Sequence, residues 1–249
     1  MLTIAQRAAL PVDYQATATV RWHVGHHPFV DPASAGIGAV VAIADATIEP
    51  GGVLRTGLSR GNEELLYTVA GAIAPVRDFH TGAPFHAGTA VATVDGRHRV
   101  HAKLRNPARG ATARVVRVQW HPYRPGLAPS VSCATAGRGA LVPVVVPLTE
   151  PGLPPTAVGA HQEVRCWAGT LAAPQDVPLA LDEVLYLIVL GGALRIDGER
   201  AADGDGARVV SQRLAALEPV GPCRLLMLTT PVSYGGEFRR GEARYRAAR

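Results

Sequence analysis

Short apolar segments rich in β-branched residues recur along this chain, and glycine or proline closes each of them. Examples are GAVVAIADATIEPGG, ELLYTVAGAIAPV, ARVVRVQWHP, EVLYLIVLGGALRIDG and CRLLMLTTPVS. Short alternating segments with frequent turn residues are typical of β-sandwiches and β-barrels. Long amphipathic helical patterns are absent from the sequence, and we interpret QRLAALEP as a strand as well. The sequence therefore predicts an all-β fold.

The two halves of the chain contain a similar unit. LLYTVAGAIAPV in the first half resembles LYLIVLGGALRIDG in the second, and each reads as a strand, a glycine corner and another strand. Such an echo is expected of a duplicated barrel. We predict an N-terminal barrel over residues 1–135, a C-terminal barrel over 136–235 and a flexible basic tail over 236–249. Part of the proline-rich linker over 121–155 is expected to pack as an extended strand across the other domain.

The composition excludes several classes of protein. Of the 249 residues, 47% are hydrophobic, yet no apolar run reaches the length of a membrane span, and the first residues lack the apolar core of a signal peptide. The net charge of +5 comes mainly from dispersed arginines and accompanies no nucleic-acid motif. The three cysteines form no CxxC pair. We expect a cytoplasmic monomer with a small-molecule ligand and no nucleic-acid or membrane partner.

Four motifs occur in the order typical of one known family. They are FVDPASAGIGAVVAIADATIEPGG, SRGNEELLYTVAGAI, GTAVATVDGRHRVHAK and VRVQWHP. Together they resemble the pirin family, a branch of the cupin superfamily built from two β-barrels. The second motif is similar to the family's HRGxExxTYxLxG, and the third is similar to GDVQWMTAGxGIxHSE. The matching positions are Arg60, Gly61, Glu63, Tyr67 and Gly71 in the second motif and Gly88, Gly96 and His101 in the third.

The resemblance implies a metal site whose ligands this chain does not retain. In the family, two histidines of an HPHRG motif and the histidine and glutamate of the HSE motif bind a first-row metal. The corresponding residues here are Gly57, Ser59, His101 and Lys103. One imidazole beside an ammonium group offers too few ligands and repels a cation. We therefore expect neither a metal nor another cofactor at the family position.

The resemblance places ionisable residues in the emptied pocket of the first barrel. His101 could transfer protons near neutral pH, Lys103 could pair with a substrate carboxylate, and Glu63 could act as a base or an anchor. These three are the predicted catalytic residues. Alternatively, Arg60 and Glu63 simply pair with each other and brace the barrel. The predicted substrate-binding residues are Arg60, Ser59, Arg55, Arg97 and Tyr67.

A histidine-rich segment, WHVGHHPF, is a weaker candidate for a metal site. It contains His23, His26 and His27. The side chains of adjacent residues in an extended segment point in opposite directions, so His26 and His27 are not expected to share a metal. The second barrel contains no comparable cluster, and we interpret it as structural or as a closing wall.

Three functions remain open. The first is a metal-independent isomerase, lyase, cyclase or hydrolase that acts on an anionic or polyketide-like molecule, with secondary metabolism as one setting. The second is a metal-dependent, quercetinase-like dioxygenase, which would need a replacement ligand set. The third is a non-catalytic binding or regulatory protein. The ionisable lining of the predicted pocket favours the first function over the third.

Overall fold

The computed structural model of the protein describes residues 1–25, 37–56, 62–77, 80–94, 103–122, 127–128, 130–136, 139–210 and 214–232. These residues form β-strands and one 3₁₀ turn, Arg7–Ala9, which confirms the predicted all-β fold. Within the described ranges, no helix is long and apolar enough to cross a membrane.

Thirteen strands are described before residue 136. They are β1 (Leu2–Ala5), β2 (Val12–Gln15), β3 (Ala18–Val24), β4 (Val40–Ile48), β5 (Val53–Arg55), β6 (Glu63–Ala70), β7 (Ala72–Arg77), β8 (His80–Thr81), β9 (Phe85–His86), β10 (Thr89–Val94), β11 (Lys103–Arg105), β12 (Ala113–Trp120) and β13 (Ser130–Thr135).

Ten further strands are described after residue 139. They are β14 (Val142–Pro147), β15 (Val158–Ala160), β16 (Arg165–Leu171), β17 (Gln175–Pro178), β18 (Glu183–Gly191), β19 (Ala193–Ile196), β20 (Glu199–Ala202), β21 (Gly206–Val210), β22 (Leu214–Pro219) and β23 (Cys223–Pro231). The QRLAALEP segment contains β22, as predicted.

Each half of the chain builds one large and one small sheet. The large N-terminal sheet has the order β13-β10-β6-β12-β4-β3-β2, and the small one has the order β5-β11-β7-β8, with β9 also paired to β7. Apolar side chains of the two sheets meet between them, among them Leu66 and Val91 from the large sheet and Leu54, Ile73 and Leu104 from the small one. This packing forms the N-terminal barrel.

The C-terminal half repeats the arrangement. Its large sheet has the order β1-β21-β18-β23-β16-β14-β15, and its small sheet has the order β17-β22-β19-β20. The sequence echo lies at equivalent places, because Gly71 joins β6 to β7 and Gly192 joins β18 to β19. Both glycines have positive φ, +70° and +84°, a backbone conformation that residues other than glycine rarely adopt. The echo therefore marks the same corner in two barrels.

The first strand joins the other half of the molecule. β1 pairs with β21 in antiparallel register, from Leu2 opposite Val209 to Ala5 opposite Gly206. The prediction that residues 1–135 form the N-terminal barrel is corrected at this point, since Leu2–Ala5 completes the C-terminal large sheet. Two segments of the linker are strands, but each pairs within its own half rather than across the other domain: β13 pairs with β10 and β14 pairs with β16.

The two large sheets pack against each other through their outer faces. We call this shared apolar layer the seam. It includes Ile43, Leu65 and Val118 from the N-terminal sheet and Ile188 and Leu226 from the C-terminal sheet. The molecule is therefore a stack of four sheets, in which both large sheets are covered on both faces.

Truncating a seam side chain should destabilise the protein strongly. Ile43 is fully buried in this layer, so Ile43→Ala should lower the free energy of unfolding by about 2–5 kcal/mol, through lost burial and a residual cavity. Tyr14→Ala is the control, because Tyr14 is 78% exposed, and it should change that free energy by under about 0.5 kcal/mol. Urea unfolding followed by circular dichroism measures both, and similar values for the two variants would contradict the seam.

Candidate functional site

Two adjacent glutamates at the start of β6 face different parts of the molecule. Side chains alternate between the faces of a strand. Glu63 therefore lies on the same side as Leu65, in the seam, whereas Glu64 lies on the same side as Leu66, in the barrel interior. Glu63 is 2% exposed and Glu64 is 4% exposed. A buried carboxylate is costly unless it has hydrogen-bonding partners, so the surroundings of both residues matter.

Glu64 belongs to a polar cluster inside the N-terminal barrel. Its Oε1 accepts hydrogen bonds from Arg117 Nε at 2.7 Å and from Gln119 Nε2 at 3.1 Å, and Arg117 Nη2 lies 2.5 Å away. Thr93 on β10 is the strand neighbour of Glu64 and is buried as well. We call Glu64, Thr93, Arg117 and Gln119 the interior polar cluster. It lies at the strand ends that lead to residues 57–61 and 95–102.

Glu63 connects the two halves of the molecule. Trp120 Nε1 donates a hydrogen bond of 2.7 Å to Oε2, and the His161 backbone N–H lies 3.0 and 3.1 Å from the two carboxylate oxygens. The imidazole of the same histidine adds a third contact, with Nδ1 2.7 Å from Oε1. The His161 side chain is 38% exposed and that of Glu63 only 3%. We call this pair the seam dyad.

A further group of charges crosses the seam. Arg114 donates to Asp45 through Nε and Nη2, at 3.0 and 2.7 Å, and to Asp203 through Nη1 at 2.8 Å. Burial lowers the pKa of Arg114, but the hydrogen bonds and negative charges of Asp45 and Asp203 outweigh it and raise that pKa above its usual value. Asp45 and Arg114 come from the first half and Asp203 from the second. The group therefore fastens the halves together.

His23 is the histidine of WHVGHHPF that the structure describes, and it lies buried in the seam. Its Nδ1 is 3.2 Å from the hydroxyl oxygen of Tyr186, while Nε2 has no hydrogen-bond partner among the described residues. Burial lowers the pKa of His23 to about 4, although Asp45 opposes this effect. His23 is therefore neutral at physiological pH and serves the contact between the halves.

A small cavity also lies in the seam. Its volume is about 10 Å³, which leaves room for about one water molecule. Tyr67, a predicted substrate-binding residue, lines it together with Val69, Leu190 and Arg224. Tyr67 thus contacts the space between the barrels, on the opposite side of the sheet from the barrel interior. The cavity is too small for an organic substrate.

The placement of Lys103 and Arg55 differs from the sequence-based expectation. Both were expected near the barrel interior, but both side chains are exposed, and their backbones are paired across β11 and β5. The neighbouring Leu54 and Leu104 fill the interior instead. The expectation is corrected, because residues next to an inward-facing side chain must point outward.

Of the remaining predicted site residues, the structure describes Glu63 and leaves the others outside the described ranges. The expected position of Glu63 in the pocket is also corrected, since its side chain lies in the seam. Within the described ranges, no group of three histidine, cysteine, aspartate or glutamate side chains could hold a metal ion. The other predicted site residues, Ser59, Arg60, Arg97 and His101, and the family metal position at Gly57 lie outside the described residues.

Sequence reasoning missed both clusters for different reasons. His161 is 98 residues from Glu63 and lies in no motif, so no local signal connects the two. Arg117 and Gln119 carry a weak signal, because they are polar residues two apart in the mostly apolar strand ARVVRVQW. Such spacing places both on one face of a strand.

Comparison with known proteins supports the architecture. Residues 155–229 match the family described as the quercetinase C-terminal cupin domain. No curated protein matches the sequence. Bacterial pirin YhhW from Escherichia coli, solved in complex with nickel(II), is 17% identical and has a TM-score of 0.78, with 93% of this chain and 99% of that chain covered. A quercetin 2,3-dioxygenase from Acinetobacter baumannii is 14% identical and has a TM-score of 0.67, with 90% and 84% covered.

The fold defines the chain as a bicupin, with two cupin barrels in one polypeptide. The family match lies in the second barrel, and the structural likeness across both barrels shows a pirin-like bicupin fold, as the four sequence motifs predicted.

The buried His23 should make stability depend on pH. Between its ordinary pKa of 6.5 and about 4, the unfolded chain binds a proton that the folded protein does not, so stability falls as the pH falls. At about 1.4 kcal/mol per pKa unit, this loss amounts to about 3 kcal/mol. In His23→Phe this part of the pH dependence should disappear, because the residue at position 23 no longer titrates. Urea unfolding from pH 7 to pH 4 measures the difference, and parallel curves would contradict it.

Proposed function

We propose that this protein is a pirin-like bicupin that acts on a small anionic molecule at its N-terminal barrel without the metal of the family. The observation that carries the proposal is the interior polar cluster, whose carboxylate–guanidinium pair is buried in a largely apolar barrel. A cytoplasmic, monomeric state and a setting in secondary metabolism, predicted from the sequence, belong to the same proposal.

The residues at the family metal position do not suit a metal. Gly57 has no donor side chain and Ser59 only a weak one, and Lys103 is a cation on the outer face of its strand. A nickel(II) ion, such as the one bound to the Escherichia coli pirin, would therefore not find a complete set of ligands at this position. We derive no chemical step through a metal.

The interior polar cluster has the groups that acid–base chemistry needs. Desolvating two ions costs several kcal/mol each, and the hydrogen bonds to Glu64 Oε1 offset part of this cost. A guanidinium binds carboxylates in a two-pronged geometry. An anionic substrate that binds Arg117 in place of Glu64 would leave the Glu64 carboxylate free to accept a proton. The reaction types consistent with this are isomerisation, elimination, cyclisation and hydrolysis. His101 remains a predicted acid–base partner and Lys103 a predicted surface contact.

Two other functions have a specific observation behind each. The quercetin 2,3-dioxygenase fold of the Acinetobacter baumannii protein favours a dioxygenase, which would require metal ligands from residues outside the described ranges. The apolar filling of the N-terminal barrel by Leu54, Ile73 and Leu104 favours a non-catalytic binding protein. Metal content separates the dioxygenase from the other two functions.

Metal content tests the first part of the proposal. Protein purified without an affinity tag, from medium supplemented with iron, nickel and zinc, should contain only substoichiometric metal, because the ligand set is incomplete. Elemental analysis by inductively coupled plasma mass spectrometry measures this. One equivalent of any of these metals, retained after dialysis, would overturn the metal-independent function and favour the dioxygenase.

Ligand binding tests the second part. Glu64→Gln with Arg117→Met removes both buried charges together, so no lone ion is left in the interior. Calorimetric titration with a series of aliphatic and aromatic carboxylates should detect binding to the unchanged protein, weakened by about tenfold or more in the double variant. Arg105→Met, at an exposed position on β11, is the control and should bind as the unchanged protein does. Equal affinities in all three proteins, or no binding to any, would contradict the proposal.

A further inference from the structure

We propose that the seam dyad is a second functional site, in which His161 transfers protons and Glu63 is the residue that positions it. This site goes beyond the proposed function, because it lies on the opposite face of β6 from the interior polar cluster. It also combines a residue of each half of the chain.

The geometry fixes which nitrogen of His161 is reactive. An ionised carboxylate only accepts hydrogen bonds, so the Nδ1 that lies 2.7 Å from Glu63 must carry a hydrogen. In neutral His161, Nε2 is then the proton acceptor. When Nε2 takes up a proton, the imidazolium that forms is paired with Glu63 through a charge-assisted hydrogen bond. A buried carboxylate that orients an accessible imidazole is the arrangement used for acid–base catalysis in hydrolytic triads.

A purely structural role does not require the imidazole. The His161 backbone N–H already joins the halves through both oxygens of Glu63, and Gln162 adds a bond of 2.9 Å to the His121 carbonyl oxygen. Any residue at position 161 except proline, which has no backbone N–H, would keep the backbone contact. The side chain adds a second contact to the same carboxylate and extends to solvent, with 38% of its surface exposed.

Glu63 is held firmly enough to position a ring. Trp120 Nε1 and the His161 backbone N–H donate to it, and only 3% of its side chain is exposed. The nearest other carboxylates in this segment are engaged elsewhere, since Glu163 accepts from Thr149 and Glu150 accepts from Arg165. Glu63 is therefore the acidic partner of His161 among the described residues.

The same end of the sheet contains a matched control. Nδ1 of His121 lies 2.8 Å from Asn62 Oδ1, a neutral amide oxygen, whereas Nδ1 of His161 meets a carboxylate. The Nδ1 atoms of the two histidines thus face oxygens of different charge. We expect only His161 to have the raised reactivity that a carboxylate confers.

Hydrolysis of p-nitrophenyl acetate tests the site without knowledge of the natural substrate. Nε2 of His161 takes a proton from a water molecule as the water oxygen attacks the ester carbonyl carbon. The bond from that carbon to the p-nitrophenyl oxygen breaks, and p-nitrophenolate leaves with the electron pair. The acetic acid and the imidazolium then each lose a proton to solvent, which gives acetate and restores the neutral ring. The substrate class of the site would accordingly be small, solvent-accessible acyl compounds.

The expected result is a loss of rate that follows the dyad. His161→Gln should lower the second-order rate constant by about tenfold or more, and Glu63→Gln should lower it to a similar extent. Gln at position 161 can still donate to Glu63, so folding is preserved. His121→Gln should leave the rate unchanged. Free imidazole should restore hydrolysis in His161→Gly beyond its own background rate, and Glu63→Asp should be faster than Glu63→Gln.

Three outcomes would overturn the inference. They are an unchanged rate in His161→Gln, an equal loss in His121→Gln, and the absence of rescue by imidazole or by Glu63→Asp. Metal content and carboxylate binding in the Glu64 and Arg117 double variant are measured separately. Failure of the dyad is therefore distinguishable from failure of the proposed function.

Discussion

The face-to-face packing of the two large sheets is the constraint on which the rest of the structure depends. Because the outer face of each large sheet is covered by the other, strands β4, β6 and β12 are buried on both sides, and most of their residues are accordingly apolar. A charged side chain on these strands therefore needs a hydrogen-bonding partner inside the protein. Asp45 and Arg114 fasten the halves, while Glu64 pairs with Arg117. Each polar cluster thus pairs side chains that are removed from water because these strands are buried on both faces.

Strand alternation then decides what each polar residue can do. Glu63 and Glu64 are neighbours in sequence, but one side chain meets His161 of the second barrel and the other meets Arg117 inside the first. The partner of Glu64 is buried, so this pair can meet only a ligand that enters the barrel. The partner of Glu63 reaches solvent, so that pair can meet a ligand at the surface. One strand therefore supplies two chemically different environments.

The fold could be predicted from the sequence and the site could not, because the two depend on information at different distances along the chain. Glycine corners such as Gly71 and Gly192 and the alternating strands around them are local features. The contact between Glu63 and His161 spans 98 residues and depends on how the barrels pack. For Lys103 the motif gives the position in the chain but not the direction of the side chain. An error of one residue in the register moves a side chain from one face of a strand to the other.

The orientation of Lys103 changes the physical meaning of its substitution. A lysine inside the barrel would need a partner to offset the loss of hydration, and a ligand carboxylate could be that partner. On the outer face of β11 the ammonium group stays hydrated, and Leu104 fills the interior position beside it. Lysine is therefore tolerated there at little energetic cost, and its presence alone does not require a ligand. The buried charges of β6 and β12 do require a physical explanation, and the chemistry of the protein is best sought there.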